Sequence, residues 1–364
     1  MKKIRKQTRK GMTARASSAG SAGECTVAQP GLSLRDLAKM AGVDVSTASR
    51  SLRGDPRISR ERVEAIRKIA EKIGYRPRPL RGKRTRAIAL LLPTERAGNP
   101  YLQRLLWMVE RAATKRGLHM NVEFIAPDRE RVTLPAIVAQ NRVDGVLLAG
   151  YPPTRVVELI REAGVPMAAI NESVARLGVS SLCSRSASVF REVVLRLAAW
   201  GHRRIGVALT QRKFPTMMDR YRAWMAAMEY VNIEPDPALM LEGLADDLSG
   251  GREAVERFCE QDDPPTAVIF GNDWMALGAM CELSQRGLRV PDAMSVVGSG
   301  DYPLCATAKP ALTTFAIDEV GIGQSAVQLL VDEIEGGGTG RPRKIDWPQH
   351  VVWRESTGPL MRTA

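Results

Sequence analysis

Apolar residues near the start of the chain recur at helical spacing in three short segments. Leucine and alanine spacing over residues 34–41 predicts a first helix, which Gly42 is suited to end in a left-handed conformation. Asp44 is a natural N-cap for a second helix, and Ser59 for a third that continues to Gly74. Two helices joined by a glycine-containing turn, with small residues where they cross, are typical of a helix-turn-helix unit.

After residue 86 the pattern changes to short apolar segments that alternate with amphipathic ones. This alternation predicts parallel sheets covered by helices on both faces. Residues 87–360 are too many for one small core, so we expect two doubly wound α/β lobes. The predicted strands are Ala87–Leu92, Met120–Ile125, Gly145–Ala149, Met167–Ile170, Ile205–Leu209, Ala238–Leu241, Ala267–Phe270, Ser295–Val297 and His350–Trp353. The predicted helices include Leu102–Lys115, Val189–Trp200, Asp219–Tyr230 and Trp274–Arg286.

Four regions follow from these patterns. Residues 1–30 are basic and nearly empty of large apolar side chains, which predicts a disordered arm that either only aids solubility or also attracts phosphates. The helix-turn-helix unit occupies residues 31–76, and a basic linker containing Pro79 occupies residues 77–86. Residues 87–360 form the two-lobed α/β part.

Positive charge is concentrated in the first quarter of the chain. Residues 1–86 carry 23 Lys/Arg against 7 Asp/Glu, whereas the remaining residues carry 30 against 33. The net charge of +13 therefore comes entirely from the N-terminal quarter. This asymmetry predicts a polyanionic partner for that end, either nucleic acid or an acidic membrane surface.

Several classes of protein are disfavoured by what the sequence lacks. The five cysteines form no CxxC pair and the three histidines have no ligand-type neighbour, so we expect no disulfide framework, metal or cofactor. No run of 18 apolar residues and no signal-peptide core occur, which favours a cytoplasmic protein over one with an organelle transit peptide. Nucleotide-binding and hydrolase motifs are also missing, so we predict that the chain is not an enzyme.

The second predicted helix carries a surface suited to duplex DNA. In a helix-turn-helix unit, the N-terminal half of this helix meets base edges in the major groove. Arg50 is able to make a bidentate contact to guanine, while Arg53, Arg57 and Ser59 suit phosphates. The alternative is that these arginines are solvated charges on an exposed face. The side chains predicted to face the bases are Val45, Ser46, Thr47, Ser49 and Arg50.

The order of motifs along the chain resembles the lactose-repressor (LacI-type) family of transcriptional regulators. The N-terminal part of the resemblance is SLRDLAKMAGVDVSTASRSL followed by ISRERVEAIRKIAEKIGYRP. Downstream it continues through AGNPYLQRLL, GHRRIGVAL, DRYRAWMAAM, PTAVIFGNDWMALGAM, GLRVPDAMSVVGSGD and PALTTF. The match covers about Ser33 to Thr357 and implies a helix-turn-helix domain joined to a two-lobed sensor of the periplasmic-binding-protein type.

This resemblance implies a dimer on an operator duplex. The base-reading positions of the family fall on Val45, Ser46 and Arg50, with Ser49, Ser59 and Tyr75 in support. Val45 replaces a commonly polar or aromatic residue, so we expect apolar contact there, such as with a thymine methyl group. Family members usually form a hinge helix with a leucine wedge in the minor groove, which Leu80 matches loosely. The linker looks shorter than usual and contains Pro79, so we expect no regular hinge helix, with basic residues contacting phosphates instead.

The resemblance also implies a small effector between the lobes. Arg220 matches the family's ligand arginine, Asn272 and Asp273 match its Asn-Asp pair, and Asp301 remains from a block that has lost its first Asp. Arg185 stands where an Asp is common, so a sugar acid or phosphate suits the cleft better than a neutral sugar. Asn99 and Tyr101 are expected on the other side of the cleft. A cleft that binds nothing, or a sugar-binding receptor protein, are the alternatives.

Overall fold

The computed structural model of the chain describes residues 34–52, 57–72, 84–94, 99–126, 132–150, 152–170, 174, 177–336 and 342–361. These residues fall into two compact units that meet in the chain between residues 80 and 81. Several predictions lie outside the described residues: the basic arm, most of the linker, Arg53, Tyr75, Leu80 and the side chain of Ser49.

The first unit consists of three short helices: α1 (Leu34–Met40), α2 (Val45–Leu52) and α3 (Arg60–Lys72). Their small core is formed by Leu37 of α1 with Ile66 and Ala70 of α3, because these side chains recur on one face of each helix. Gly42 adopts a φ of +62° in the turn between α1 and α2, a conformation that favours glycine. The predicted helix-turn-helix unit is therefore confirmed.

The second unit alternates strands and helices, as predicted. In chain order its elements are β1 (Ala87–Pro93), α4 (Pro100–Lys115), β2 (His119–Ile125), α5 (Ala136–Ala139), β3 (Gly145–Ala149), α6 (Thr154–Glu162), β4 (Met167–Ile170), β5 (Ser180–Ser184), α7 (Ala187–Ala199), β6 (Ile205–Ala208), α8 (Pro215–Tyr230), β7 (Met240–Leu241), α9 (Leu248–Cys259), β8 (Ala267–Phe270), α10 (Asp273–Gln285), β9 (Ser295–Val297), α11 (Pro303–Thr307), β10 (Thr314–Ile317), α12 (Glu319–Glu335), β11 (Lys344–Trp347) and β12 (Gln349–Val352).

Lobe 1 is built on a parallel sheet with the strand order β11-β5-β4-β3-β1-β2. The side chains of β1 alternate between the two faces of this sheet because successive residues in a strand point in opposite directions. Ile88 and Leu90 pack on one face with α4 and α12, whereas Ala89 and Leu91 pack on the other with α6. Both faces are thus buried, which is why β1 is apolar throughout.

Lobe 2 is built on a parallel sheet with the strand order β7-β6-β8-β9, covered by α7 and α8 on one face and by α9 and α10 on the other. Strands β10 and β12 pair antiparallel at the junction of the lobes. Phe315 of β10 packs into the core of lobe 2, while Ile317 packs against lobe 1. The junction strands therefore connect the two cores directly.

The sequence patterns missed β5, β10 and β11, and they placed one strand too early. The predicted strand Ala238–Leu241 begins with a 3₁₀ turn at Pro237–Leu239, because Asp236 accepts a hydrogen bond from the N–H of Ala238 and caps the turn. Among the described helices, none is long and apolar enough to cross a membrane. The described residues also contain no group of three His, Cys, Asp or Glu side chains placed to hold a metal.

Candidate functional site

Helix α2 presents an exposed surface at its N-terminal end. Val45 is 41% exposed although it is apolar, and Ser46 beside it is also exposed. Arg50 follows Ser46 by one helical turn and donates from Nη2 to Ser46 Oγ over 2.8 Å, so both lie on the same face. The predicted base-reading side chains Val45, Ser46 and Arg50 are therefore brought together on one accessible surface.

Asp44 fixes the start of this helix. Its Oδ1 accepts from the Thr47 N–H over 2.8 Å and its Oδ2 accepts from the Thr47 hydroxyl over 2.6 Å. Hydrogen bonds from the hydroxyl groups of Ser46 and Thr47 hold the pKa of Asp44 well below its usual range. Thr47 thus serves the helix cap, while Arg57 and Ser59 lie exposed before α3, where phosphate contacts were predicted.

A cleft between the two lobes forms a cavity in the second unit. It encloses about 970 Å³, counting the space at its open mouth. Elements of lobe 1, lobe 2 and the junction strands contribute to its walls. The polar residues lining it include Asn99, Tyr101, Arg104, Ser184, Ser186, Thr210, Thr216, Arg220, Asp246, Asn272, Ser299, Tyr302, Glu319 and Gln349.

Asn99 and Asn272 line this cleft, as expected, and both cap helices. Asn99 accepts from the Leu102 N–H, and Asn272 accepts from the Met275 N–H over 2.8 Å. Their amide nitrogens both turn toward Asp246: Asn99 donates to Asp246 Oδ2 over 2.5 Å and Asn272 to the Asp246 carbonyl over 3.1 Å. Because Asn99 belongs to lobe 1 and Asp246 to lobe 2, their hydrogen bond joins the lobes.

Arg220 also lines the cleft, together with the predicted Tyr101. Its guanidinium donates from Nη1 to the Gly271 carbonyl and from Nη2 to Ser299 Oγ, the latter over 2.9 Å. Helix α8 thus directs the Arg220 side chain along the end of β8 and toward the loop after β9. This position suits a charged contact to a ligand in the cleft.

Asp273 lies beneath the cleft rather than in its lining. Its side chain is completely buried, and its oxygens accept from the Thr314 hydroxyl over 2.5 Å and from the Tyr302 N–H over 3.0 Å. Burial raises the pKa of the Asp273 carboxyl, because the charged form is removed from water. In place of the expected ligand contact, Asp273 fixes the loop that carries Ser299 and Tyr302.

Arg185 and Asp301 are likewise absent from the cleft lining. Arg185 forms ion pairs with Asp346 over 2.8 Å and with Asp219 over 3.3 Å, which tie a lobe 1 strand to a lobe 2 helix. Asp301 is paired with Arg354 over 2.7 Å. Both predicted ligand residues are therefore engaged by protein charges that lie more than 30 residues away in the sequence and contribute to structure at the lobe junction.

Sequence reasoning missed Arg104 and Glu319. Arg104 Nη1 donates to the Gly300 carbonyl over 3.0 Å, its guanidinium forms an ion pair with Glu319, and its Cζ lies 4.2 Å from the centre of the Tyr302 ring. The signal was present: Arg104 follows Tyr101 by three residues, which places both on the same face of α4.

Asp246 and Asp247 are adjacent in the turn that precedes α9. Asp247 caps α9, accepting from the Ser249 N–H over 2.8 Å. Asp246 instead points into the cleft, because the two asparagine amides hold it there. Two adjacent aspartates of one turn thus have different roles.

Comparison with known proteins agrees with this architecture. A family model described as "Bacterial regulatory proteins, lacI family" matches residues 33–78, and one described as "Periplasmic binding protein-like domain" matches residues 194–357. The transcriptional repressor PurR of Haemophilus influenzae is 27% identical over 337 residues, covering 90% of this chain and 99% of the relative. The transcriptional repressor CytR of Escherichia coli is 27% identical over 317 residues, covering 86% of this chain and 92% of the relative.

A solved structure of the transcriptional regulator CelR in complex with cellobiose superimposes with a TM-score of 0.67 at 25% identity, covering 89% of this chain and 99% of that one. These full-length matches therefore include the helix-turn-helix unit and both lobes. On these grounds the chain is a DNA-binding transcriptional regulator that joins a helix-turn-helix domain similar to the lacI family of bacterial regulatory proteins to a periplasmic-binding-protein-like domain.

Proposed function

We propose that the chain is a repressor that reads its operator with α2 and responds to a small polar ligand in the interlobe cleft. The observation that carries this proposal is the exposed surface formed by Val45, Ser46 and Arg50 at the start of α2. A short helix with small side chains beside one arginine is able to approach base edges closely. The relatives PurR and CytR, which are named as repressors, support the direction of the effect.

We expect Arg50 to make the strongest single contribution to base specificity. Its hydrogen bond to Ser46 holds the guanidinium along the helix surface in the absence of DNA. A bidentate contact to the O6 and N7 atoms of guanine discriminates against other bases by about 1–3 kcal/mol. Loss of this side chain should therefore reduce both affinity and base preference.

The test begins with a duplex selected from a randomised pool by the full chain. Its affinity is then measured by fluorescence anisotropy at moderate salt for the wild type, Arg50→Ala and Arg67→Ala. We expect Arg50→Ala to bind roughly ten-fold or more weakly. Arg67 is an exposed cation on α3 and serves as the matched control. Equal losses in the two variants would mean that α2 supplies only general charge.

The cleft supports a hydroxyl-rich ligand of the sugar, sugar acid or phosphorylated sugar class. Its walls carry carboxylates, amides and guanidinium groups together with aromatic faces, the combination that recognises small polar molecules. The related regulator CelR is described in complex with cellobiose, a sugar. Thermal unfolding of the full chain in the presence of such compounds tests this part, because a ligand that binds only the folded state raises the melting temperature.

We further propose that the chain acts as a cytoplasmic homodimer. A single helix-turn-helix unit buries too little surface for specificity in a genome, and two units bind two half-sites. In lobe 1, the outer strand β2 exposes Val122 and Phe124, which are 37% and 48% accessible. An edge strand with exposed apolar side chains is a surface on which a second copy is able to pair.

A further inference from the structure

The two arginines of the cleft lining reach one dipeptide from opposite lobes. Arg104 of α4 donates to the Gly300 carbonyl over 3.0 Å, and Arg220 of α8 donates to the Ser299 hydroxyl over 2.9 Å. Because Ser299 and Gly300 are adjacent in the chain, the two guanidinium groups flank the same short segment of the cleft wall. Two cations from different lobes are thus brought to one place.

Three hydrogen bonds of these cations go to neutral acceptors. Arg220 donates to a carbonyl and a hydroxyl, and Arg104 donates to a carbonyl. A guanidinium binds a carboxylate or phosphate through two parallel hydrogen bonds, which adds both energy and geometric specificity. An anionic group placed between the arginines is therefore preferred to the neutral acceptors that they now contact.

Glu319 supplies the negative charge that balances Arg104 in this state. It stands at the start of α12 in lobe 1, and both side chains are only 24% exposed, which limits screening by water. The face of the Tyr302 ring, 4.2 Å from Arg104 Cζ, keeps the guanidinium from swinging away. Glu319 thus pairs with the Arg104 guanidinium from one side and competes for it with any anion that enters the cleft.

We propose, in extension of the ligand-binding function above, that Arg104 and Arg220 form an anion subsite for a carboxylate or phosphate group of the ligand. The ligand's hydroxyl groups face Asp246, whose carboxylate is held in the cleft by Asn99. An anion bound by both arginines bridges lobe 1 and lobe 2. The charged group of the ligand therefore acts directly on lobe closure.

The test uses the full chain and compounds that differ only in charge. Binding of glucose, gluconate, glucose 6-phosphate and inorganic phosphate is measured by calorimetry and by the shift in melting temperature. Comparison of gluconate with glucose 6-phosphate distinguishes a carboxylate ligand from a phosphate ligand, while inorganic phosphate reports on the subsite without a sugar. We expect anions to stabilise the wild type more than neutral glucose does.

Three variants separate charge recognition from a merely structural role. Arg104→Met should weaken anion binding about ten-fold or more. Glu319→Gln should strengthen it about three-fold, because the internal competitor is removed. Arg222→Met, an exposed cation on α8, should leave it unchanged. Opposite effects of Arg104→Met and Glu319→Gln are the signature of the subsite, since loss of a structural ion pair would act in the same direction in both.

The proposal is overturned if neither the acids nor inorganic phosphate stabilise the wild type more than they stabilise Arg104→Met. It is also overturned if Glu319→Gln and Arg104→Met weaken anion binding equally. Binding of glucose alone would remove the anion subsite while leaving the proposed ligand-binding function intact.

Discussion

Asp273 shows how a single buried carboxylate determines the shape of the cleft. It has no access to water, yet it accepts hydrogen bonds from Thr314 and from the backbone of Tyr302. Burying a charge is costly unless such bonds are made. These hydrogen bonds hold the loop of residues 298–302 against α10. This loop carries acceptors for both cleft arginines.

Substitution Asp273→Asn should destabilise the second unit. The amide retains one accepting oxygen, so one of the two donors, the Tyr302 N–H or the Thr314 hydroxyl, is left without its partner. A buried donor without a partner costs about 1–3 kcal/mol. Urea denaturation measures the free energy of unfolding. Asp262→Asn, at an exposed position, is the control, and equal stability of the two variants would contradict the role assigned to Asp273.

His202 gives lobe 2 a dependence on pH. Its ring nitrogens lie 2.8 Å from Thr266 Oγ1 and 3.0 Å from the Gly358 carbonyl, in a buried site. Burial lowers the pKa of His202 below its ordinary value of 6.5, because the charged ring is disfavoured. The unfolded chain therefore takes up a proton at a higher pH than the folded chain does.

The contribution of neutral His202 to the free energy of unfolding should be present above about pH 6.5. It should be lost as the pH falls from this value toward the lowered pKa of His202 in the folded state. Melting temperatures measured between pH 7.5 and 5 provide the check. The variant His202→Gln should show a flatter profile than the wild type, whereas substitution of the exposed His119 should not. A wild-type melting temperature that rises on acidification would contradict the direction of the pKa shift assigned to His202.

Asn99, Tyr101, Arg220 and Asn272, each part of a recognisable local motif, line the cleft, and their contact with a ligand stays a prediction. The sequence could not predict the placement of Arg185, because its side chain is held by ion pairs with Asp219 and Asp346, which lie far along the chain. Arg104 shares a face of α4 with Tyr101, but this spacing alone does not show that its guanidinium reaches the other lobe.

At the scale of elements, helices α9 and α10 approach each other closely enough for backbone contact. A Cβ atom added to Gly251 would lie 1.8 Å from the Met275 carbonyl oxygen, and one added to Gly278 would lie 2.0 Å from the Leu248 carbonyl oxygen. Glycine is therefore required on both helices despite its low helix propensity. This close packing sets the position of the α10 N-terminus, where Asn272 lines the cleft.

Substitution Gly278→Ala should destabilise the protein. Helix propensity alone predicts a gain of about 1 kcal/mol. The clash with backbone atoms, which cannot be relieved by a rotamer change, costs about 1–3 kcal/mol or more, so the net effect should be unfavourable. Thermal unfolding with Ser284→Ala, an exposed change on the same helix, tests this comparison. A more stable Gly278→Ala variant would show that the helices separate without cost.

Strands were most readily predictable where both faces are apolar. The segments of β1, β3 and β8 are continuous apolar runs, and the sequence located each of them. The segments SSLCS of β5 and KIDW of β11 are polar or mixed in sequence, yet they pair with each other in register from Lys344 with Ser181 to Trp347 with Ser184. Their strand conformation depends on a partner about 160 residues away, which no local pattern reveals.

Binding to two half-sites of an operator requires two copies of the chain. The exposed side chains of Val122 and Phe124 lie two residues apart on the outer strand of lobe 1 and so share one face. Apolar area exposed on an edge strand is costly in water and is buried when a second copy pairs there.

Substitution Phe124→Asp should therefore weaken self-association. A charge at the centre of an apolar contact must lose its hydration without a partner. Sedimentation equilibrium of the full chain should show a shift from dimer toward monomer in this variant. Leu195→Asp, at an exposed apolar position on α7 in lobe 2, is the control, and an unchanged dimer in Phe124→Asp would exclude β2 as the interface.

Base reading by α2 in two related half-sites is tested by parallel selection of duplexes with the wild type and with Val45→Gln. We expect an enriched wild-type sequence with two-fold symmetry and thymine at one position of each half-site. In Val45→Gln this position should change toward adenine, which glutamine contacts through two hydrogen bonds, while the other positions stay the same. Identical base preferences in the two selections, or no enriched sequence with the wild type, would contradict base reading by α2.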